Sequence, residues 1–153
     1  MTTDQTTTRR QIVALSGGFD PPNRGHVALI QDARGLGAVV IILNSDEWCD
    51  QARWSGKHFL DYSKRRGILL HIPGVIAVVP AQEDDDGTVC QSLRQLQPDF
   101  FGNGGKRTAE NTPEVEVCRE LRIGMLWFLG QSESVEHDEM LRTVIIEASR
   151  STK

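Results

Sequence analysis

Short apolar runs alternate along the chain with segments whose apolar residues recur at helical spacing. The runs QIVALS (11–16) and AVVIIL (38–43) are rich in β-branched residues and do not alternate with polar ones, as expected for strands covered on both faces. Three later short runs are also interpreted as strands: VIAVV (75–79), DFFG (99–102) and IGMLWFL (123–129). The pattern therefore predicts five strands.

A helical pattern follows each of these runs. The predicted helices cover 26–36, 62–71, 88–96, 111–121 and 138–150. Aspartates before residue 88 are expected to cap the third helix, and Thr112 followed by Pro113 is expected to begin the fourth. Since parallel strands need helical crossovers, this alternation predicts an α/β fold, a doubly wound parallel five-stranded sheet of Rossmann-like type. Ligands of such sheets bind in the loops at the carboxyl ends of the strands.

The chain length and the polar first residues bound the domain organisation. A length of 153 residues predicts a single domain, covering 11–153, because that length buries one complete core. Residues 1–10, MTTDQTTTRR, are polar and rich in threonine, and we expect a disordered tail there. This start lacks the apolar core of a signal peptide, and no run of about 18 apolar residues occurs. We therefore expect a cytoplasmic protein without a membrane partner.

Charge and cysteine content argue against two kinds of partner. The 17 Lys and Arg residues against 21 Asp and Glu give a net charge of -4, whereas general nucleic-acid binders carry a basic excess. The three cysteines, Cys49, Cys90 and Cys118, show no CxxC spacing, so we expect reduced thiols rather than a zinc site. Neither nucleic acid nor a structural zinc ion is therefore expected as a partner.

The loop GGFDPPNRGH (17–26) joins the first predicted strand to the first predicted helix. It matches neither GxGxxG nor GxxxxGK[ST], the glycine-rich signatures of dinucleotide folds and of Walker-type phosphoryl transfer. Its glycines permit close approach of the backbone, and the unpaired N–H groups of a helix start favour an anion. His26 could donate a hydrogen bond to a phosphate there. The alternative is a plain strand-to-helix turn in which His26 caps or packs.

The same loop resembles the signature of the cytidylyltransferase-like nucleotidyltransferases, G-x-F-D-x-x-(H or T)-x-G-H, of the glycerol-3-phosphate cytidylyltransferase and ADP-heptose synthase type. It matches at Gly17, Phe19, Asp20, Gly25 and His26. Further similar segments follow in the family's order: LNSDEW (43–48), KRRGILL (64–70), DDDGTV (84–89), PDFFGNGGKR (98–107) and NTPEVEVCRELRI (111–123). The resemblance covers roughly residues 11 to 130 and implies the fold expected above.

The resemblance implies nucleotidyl transfer, in which a small phosphorylated polyol or sugar receives CMP or AMP from CTP or ATP and pyrophosphate leaves. Mg²⁺ is the expected cofactor, and a homodimer is the implied assembly. The catalytic positions that it implies are His26, Asn23, Arg65 and Lys57. The implied nucleotide-binding positions are Gly17, Gly18, Phe19, Asp20, Gly25, Gly104, Gly105, Lys106, Arg107, Ser132 and Ser134. Asp20 is also a candidate to contact the metal ion, which the substrate phosphates would hold.

A basic cluster between residues 53 and 66 fits this chemistry, because phosphoryl groups need cations around one point. Its basic residues are Arg53, Lys57, Lys64, Arg65 and Arg66, against the single acid Asp61. The family often has a lysine where this chain has Trp54 and Ser55, which leaves Arg53 or Lys57 to substitute. Trp54, among polar neighbours, is the tryptophan expected to stack on a ligand. A solvated surface is the alternative for this charge run.

Other departures from the family pattern keep a second function open. Asn23 stands where the family has His or Thr, and Lys106 stands where a similar subgroup has Asp. The segment 131–140 retains Ser132 and Ser134 but adds four carboxylates near the expected phosphates. The alternative is a weakened or inactive family member that binds a nucleotide or sugar phosphate, or a partner-binding module.

Overall fold

The computed structural model describes residues 10–83, 87–105, 107–131 and 135–151. Its strands are β1 (Ile12–Gly17), β2 (Ala38–Leu43), β3 (Val75–Pro80), β4 (Phe100–Gly104) and β5 (Gly124–Leu129). They form one parallel sheet in the order β3-β2-β1-β4-β5. The predicted doubly wound α/β fold is therefore confirmed. No helix within the described ranges is long and apolar enough to cross a membrane.

Helices cover both faces of this sheet. The described residues contain α1 (Arg24–Arg34), α2 (Asp46–Ala52), α3 (Tyr62–Leu70), α4 (Cys90–Leu96), α5 (Val115–Leu121) and α6 (Val135–Ser151). Helices α1, α3 and α6 pack on one face, where Leu15 and Ile41 are fully buried. Helices α4 and α5 pack on the other face, against Ala14, Ile42 and Phe101. Because successive side chains of β1 enter two different cores, its first four residues are all apolar.

Two helix starts differ from the sequence predictions. Helix α5 begins after its N-cap residue Glu114, whose side chain makes no capping bond. Thr112 is therefore not the cap, and the Glu114 carboxylate instead accepts the backbone N–H of Val89 at 3.1 Å. Helix α4 begins at Cys90 without a side-chain cap, and the aspartates expected in that role, 84–86, lie outside the described residues. Local sequence does not reveal long-range bonds of this kind.

The short helix α2 is missing from the prediction based on hydrophobic spacing. It begins where the Ser45 hydroxyl accepts the backbone N–H of Trp48 at 3.0 Å, with Asp46 and Glu47 in its first turn. A serine followed by two acidic residues is a favourable helix start. The helix buries only Cys49 among its own residues, so it lacks the repeated apolar spacing that identifies longer helices.

The position of β1 in the sheet identifies the edge at which a ligand would bind. β1 lies between β2 and β4, so the order of the strands reverses at this point. Loops that leave the sheet on either side of such a reversal open a crevice beyond the carboxyl ends of the strands. The loops after β1 and β4 are therefore the first places to look for a site.

Candidate functional site

The loop after β1 ends in a reciprocal cap at the start of α1. The Asn23 side-chain oxygen accepts the backbone N–H of His26 at 3.1 Å, and the His26 Nδ1 atom accepts the backbone N–H of Asn23, also at 3.1 Å. Gly25 lies between them in the first turn of the helix. Since Nδ1 accepts a hydrogen bond, the proton of the neutral ring is assigned to Nε2.

Burial keeps the His26 imidazole neutral. It lowers the pKa of His26 to about 4, and the positive end of the α1 dipole acts in the same direction. The ring packs against Phe19 with centroids 4.6 Å apart. Phe19 itself has a φ of 47°, which bulky residues rarely adopt and which is more common at functional sites. Nε2 has no acceptor among the described residues, so it can donate one bond without carrying charge.

His26 lines a cavity of about 250 Å³ next to the end of β1. The other lining residues are Gly18, Phe19, Asp20, Trp48, Cys49, Ala52 and Arg53. A Cβ on Gly18 would lie 2.9 Å from the Cys49 sulfur and 3.3 Å from the Trp48 ring, so a larger residue here would displace these side chains. The structure thus brings the predicted loop residues together with one face of α2, which the loop motif does not include.

Arg65 is fully buried and joins three loops. Its Nη1 donates to the carbonyl oxygens of Gly18 and Asn44 at 2.7 and 2.9 Å, and its Nε donates to that of Leu60 at 2.9 Å. Its Nη2 pairs with the Asp46 carboxylate at 2.7 Å. Every nitrogen of the guanidinium therefore has a protein partner, and the side chain does not line the cavity. The structure places Arg65 where it holds the loops rather than where it would touch a phosphate.

The Asp20 carboxylate holds the loop that precedes α3. Its two oxygens accept the backbone N–H groups of Phe59 and Leu60 at 2.7 and 2.6 Å. Among the residues that the structure describes, no group of three His, Cys, Asp or Glu side chains could hold a metal ion. Mg²⁺ in nucleotide enzymes commonly takes only one or two carboxylates, together with substrate phosphates and water.

A second carboxylate, Glu83, joins the loops after β2 and β3. It accepts the Ser45 backbone N–H at 2.7 Å, the Ser45 hydroxyl at 2.8 Å and the Asn44 side-chain amide at 3.2 Å. No sequence motif identifies this residue, because its partners lie 38 and 39 positions away. Together with Arg65 and Asp20, it fixes the rim of the cavity through partly buried polar contacts.

The segment between α2 and α3 brings one basic residue to the cavity. Arg53 lines the cavity, and its Nη1 donates to the Asp20 carbonyl oxygen at 3.1 Å. Lys57 and Trp54 are exposed, and neither lines the cavity. The tryptophan in the cavity wall is Trp48 rather than Trp54, because α2 turns the Trp48 ring toward the loop after β1.

His58 anchors the far end of the same segment. Its Nδ1 lies 2.7 Å from Asp50 Oδ1, and its Nε2 lies 3.9 Å from Asp46 Oδ2. The hydrogen bond with Asp50 raises the pKa of His58 and lowers the pKa of Asp50. The ionised pair is therefore favoured over a wider pH range than either group alone would allow.

We expect the contribution of His58 to stability to depend on pH. Its pKa is raised on folding, so this contribution is present below the ordinary imidazole value, about 6.5, and is lost as the pH rises through the raised pKa. The lowered pKa of Asp50 keeps the pair ionised down to below the ordinary carboxyl value, about 4. The melting temperature of His58→Gln should thus fall below that of the wild type by more at about pH 5.5 than at about pH 9. Equal differences at the two pH values would contradict this expectation.

The glycine loop after β4 lies beside β1 at the same edge of the sheet. Gly104 has no other atom within 4 Å of the position of a Cβ, whereas a Cβ on Gly105 would collide with the Gln131 side chain. Arg107 is exposed, and its backbone N–H closes a turn on the Gly104 carbonyl oxygen at 3.2 Å. No described residue of this loop lines the His26 cavity. The predicted positions Lys106, Ser132 and Ser134 lie outside the described residues.

Relatives among curated proteins match most of the chain. It is 33% identical over 110 residues to the bifunctional protein HldE of Streptomyces coelicolor, a match that covers 71% of this chain and 23% of that protein. It is 28% identical over 111 residues to the D-beta-D-heptose 1-phosphate adenylyltransferase of Bordetella bronchiseptica, which covers 72% of this chain and 67% of the relative. The chain spans about a quarter of the length of the bifunctional relatives that it matches. No family model matches it.

A solved structure shares the fold. The lipopolysaccharide core biosynthesis protein from Thermoplasma volcanium GSS1 superposes with a TM-score of 0.63, covering 82% of this chain and 99% of that chain. The two sequences are 19% identical, so this likeness concerns the fold alone. The order of the motifs, the sheet topology and the curated relatives all agree with the family resemblance found in the sequence.

Proposed function

Because the chain belongs to the cytidylyltransferase-like nucleotidyltransferase family, we propose that it transfers AMP from ATP to a small sugar phosphate and releases pyrophosphate. The main support is the neutral His26 ring, whose Nδ1 is engaged in the reciprocal cap while its Nε2 remains available beside the cavity. One relative is named as a heptose 1-phosphate adenylyltransferase, which favours ATP as the donor and a sugar 1-phosphate as the acceptor.

In the proposed reaction, a phosphate oxygen of the acceptor attacks the α-phosphorus of ATP. The bond from the α-phosphorus to the oxygen that bridges it to the β-phosphate breaks, and pyrophosphate leaves with that electron pair. Negative charge develops on the phosphate oxygens, so catalysis depends on donors and cations placed around them. A neutral imidazole suits this role because it donates a hydrogen bond without first changing its protonation state.

The start of α1 supplies further donors for an anion. The backbone N–H groups of Arg24 and Gly25 have no acceptor among the described residues, whereas that of His26 is used by the cap. Unpaired N–H groups and the positive end of the helix dipole favour a phosphate at this point. Gly25 has no side chain that would obstruct a phosphate at this point. Mg²⁺ is expected to arrive with the triphosphate, as part of the MgATP substrate.

The cap also bears on the alternative function. Asn23 stands at the position where the family has His or Thr, and its side-chain oxygen is used by the His26 N–H. Its amide nitrogen remains available as a donor, although it never carries a positive charge. This observation favours turnover that is slower than in the relatives, and it keeps a nucleotide-binding protein without turnover as the second candidate.

Pyrophosphate release provides the test. We would measure it from ATP and from CTP, with Mg²⁺ and a panel of sugar 1-phosphates and phosphorylated polyols, and identify the transferred nucleotide from the product mass. We expect release that requires both ATP and a sugar 1-phosphate. Release that requires CTP or a polyol phosphate would reassign the base or the acceptor. Nucleotide binding without release would favour the second candidate, and the failure of every nucleotide to bind would refute the proposal.

A further inference from the structure

The basic residues between 53 and 66 extend in different directions. All the nitrogens of Arg65 are bonded to protein, as described above. Arg66 donates from Nε to a carbonyl oxygen of β3 at 3.4 Å. Lys64 lines a separate, largely apolar cavity of about 390 Å³. Of this cluster, Arg53 is the residue that lines the cavity containing His26.

The guanidinium of Arg53 carries a charge that no acid neutralises within the described ranges. Its Nη1 donates to the Asp20 carbonyl oxygen at 3.1 Å, and its central carbon lies 6.0 Å from the centroid of the Phe59 ring. Its Nε and Nη2 have no acceptor in the part of the chain that the structure describes. A guanidinium with two available nitrogens suits a phosphate, because it can bond two oxygens at once.

The backbone on both sides of Arg53 keeps it at the rim of the cavity. Arg53 is the C-cap residue of α2, where the chain leaves the helix with a φ of -98° and a ψ of 138°. The N–H of Gly56 closes a turn on the Arg53 carbonyl oxygen at 2.9 Å. Further along, His58 returns the chain to α2 through its contact with Asp50. The main chain is thus tied at both ends of the segment, while the arginine side chain retains available donors.

We propose that Arg53 is a catalytic residue of this chain and binds the triphosphate of the nucleotide. This assignment rests on the proposed function. His26 is neutral, so Arg53 supplies the only positive charge among the described residues that line the cavity. Charge on the pyrophosphate oxygens grows as the bond to the α-phosphorus breaks. A guanidinium in contact with them therefore stabilises the transition state more than the ground state. Arg65 acts indirectly, as a positioning residue for the loops that it joins.

Arg53→Gln removes the charge while keeping a donor for the Asp20 carbonyl oxygen. We expect it to melt close to the wild type but to lower kcat for pyrophosphate release by about 10²–10³. Its affinity for inorganic pyrophosphate, measured by calorimetry, should fall about tenfold or more, because hydrogen bonds to charged groups are stronger than neutral ones. Arg53→Lys restores a point charge and should recover part of both losses. Arg119→Ala, which removes an exposed arginine paired with Glu116, is the matched control. It should change neither kcat nor the affinity for pyrophosphate.

Lys57→Ala distinguishes the two basic residues that could replace the family's lysine. Loss of turnover and pyrophosphate affinity in Arg53→Gln, with the melting temperature unchanged, supports the assignment. If Lys57→Ala shows these losses and Arg53→Gln shows neither, the assignment of Arg53 is overturned while the proposed function stands. If the wild type binds neither ATP nor pyrophosphate, the proposed function fails, and the assignment fails with it.

Discussion

Replacing His26 by glutamine is expected to lower kcat for nucleotidyl transfer by about 10²–10³, the usual effect of removing one donor to a developing oxyanion. The loss arises because Nε2 is the donor that the reciprocal cap leaves available. KM for ATP should change less than kcat, because the bond strengthens as charge develops on the phosphate oxygens. Initial rates of pyrophosphate release over a range of ATP concentrations give both constants.

Glutamine is the informative replacement because it preserves the cap. At the third position of a helix, a Gln side chain can accept the N–H of the N-cap residue, here Asn23, as in an ordinary capping box. The melting temperature near neutral pH should therefore stay close to that of the wild type. His71→Gln, at the C-cap of α3, is the matched control and should leave kcat unchanged. Wild-type kcat in His26→Gln would contradict the role given to the ring.

The lowered pKa of His26 provides a second measurement on the same variant. The unfolded chain binds a proton at this residue near pH 6.5, whereas the folded chain binds it only near pH 4. Since the unfolded state binds more protons between these values, the wild type should lose stability as the pH falls through this range. His26→Gln should lose less over the same range. Parallel losses in the two proteins would show that the ring is not buried as described.

Replacing Arg65 by methionine should lower the free energy of unfolding by about 3–5 kcal/mol, the usual cost of removing one partner of a buried ion pair. The variant leaves the Asp46 carboxylate and the carbonyl oxygens of Gly18, Asn44 and Leu60 without this donor. Because the Asp46 side chain is 30% exposed, water replaces part of the lost bonding, and we expect the lower half of this range. Urea denaturation at neutral pH measures the change.

Arg66→Met is the matched control for this prediction. Arg66 is the next residue in the same helix and is exposed, so its replacement should cost less than about 1 kcal/mol. The loss in free energy of unfolding for Arg65→Lys should lie between those of the other two variants, because one ammonium group cannot reach all the acceptors that a planar guanidinium serves. Equal costs for Arg65→Met and Arg66→Met would remove the basis for treating Arg65 as the residue that joins the loops.

The central strands β1 and β2 were predictable from sequence because their apolar residues are buried on both faces. The run 38–43 is apolar at every position, and the structure gives the same bounds for β2. α2 and the start of α5 were not predictable in the same way. α2 buries too few side chains to show helical spacing, and Glu114 bonds to Val89 rather than capping its own helix. Hydrophobic spacing reports burial, and it does not report polar contacts between distant segments.

The candidate site also contains some residues that the sequence predicts and others that only the tertiary structure reveals. The motif at 17–26 predicts His26 as a candidate, and the structure places this residue at the cavity. The motif does not distinguish Arg53 from Arg65, because both are long cations in one basic segment. Tertiary structure gives the two arginines different surroundings, since Arg65 is 0% exposed with four protein acceptors and Arg53 lies at the cavity. Trp48 and Trp54 likewise differ in their surroundings, because Trp48 lies in α2 and lines the cavity, whereas Trp54 follows the helix and is exposed.

The most direct test of the site observes the His26 ring itself. Nitrogen NMR of histidine-labelled protein, with signals assigned by comparison with His26→Gln, reports the protonation of each ring nitrogen. We predict that Nε2 alone is protonated from about pH 5.5 to 8, and that its signal shifts when a non-hydrolysable ATP analogue binds. A ring that titrates near its ordinary pKa of about 6.5, or an Nε2 signal that saturating analogue leaves unmoved, would contradict a neutral His26 that donates to the nucleotide.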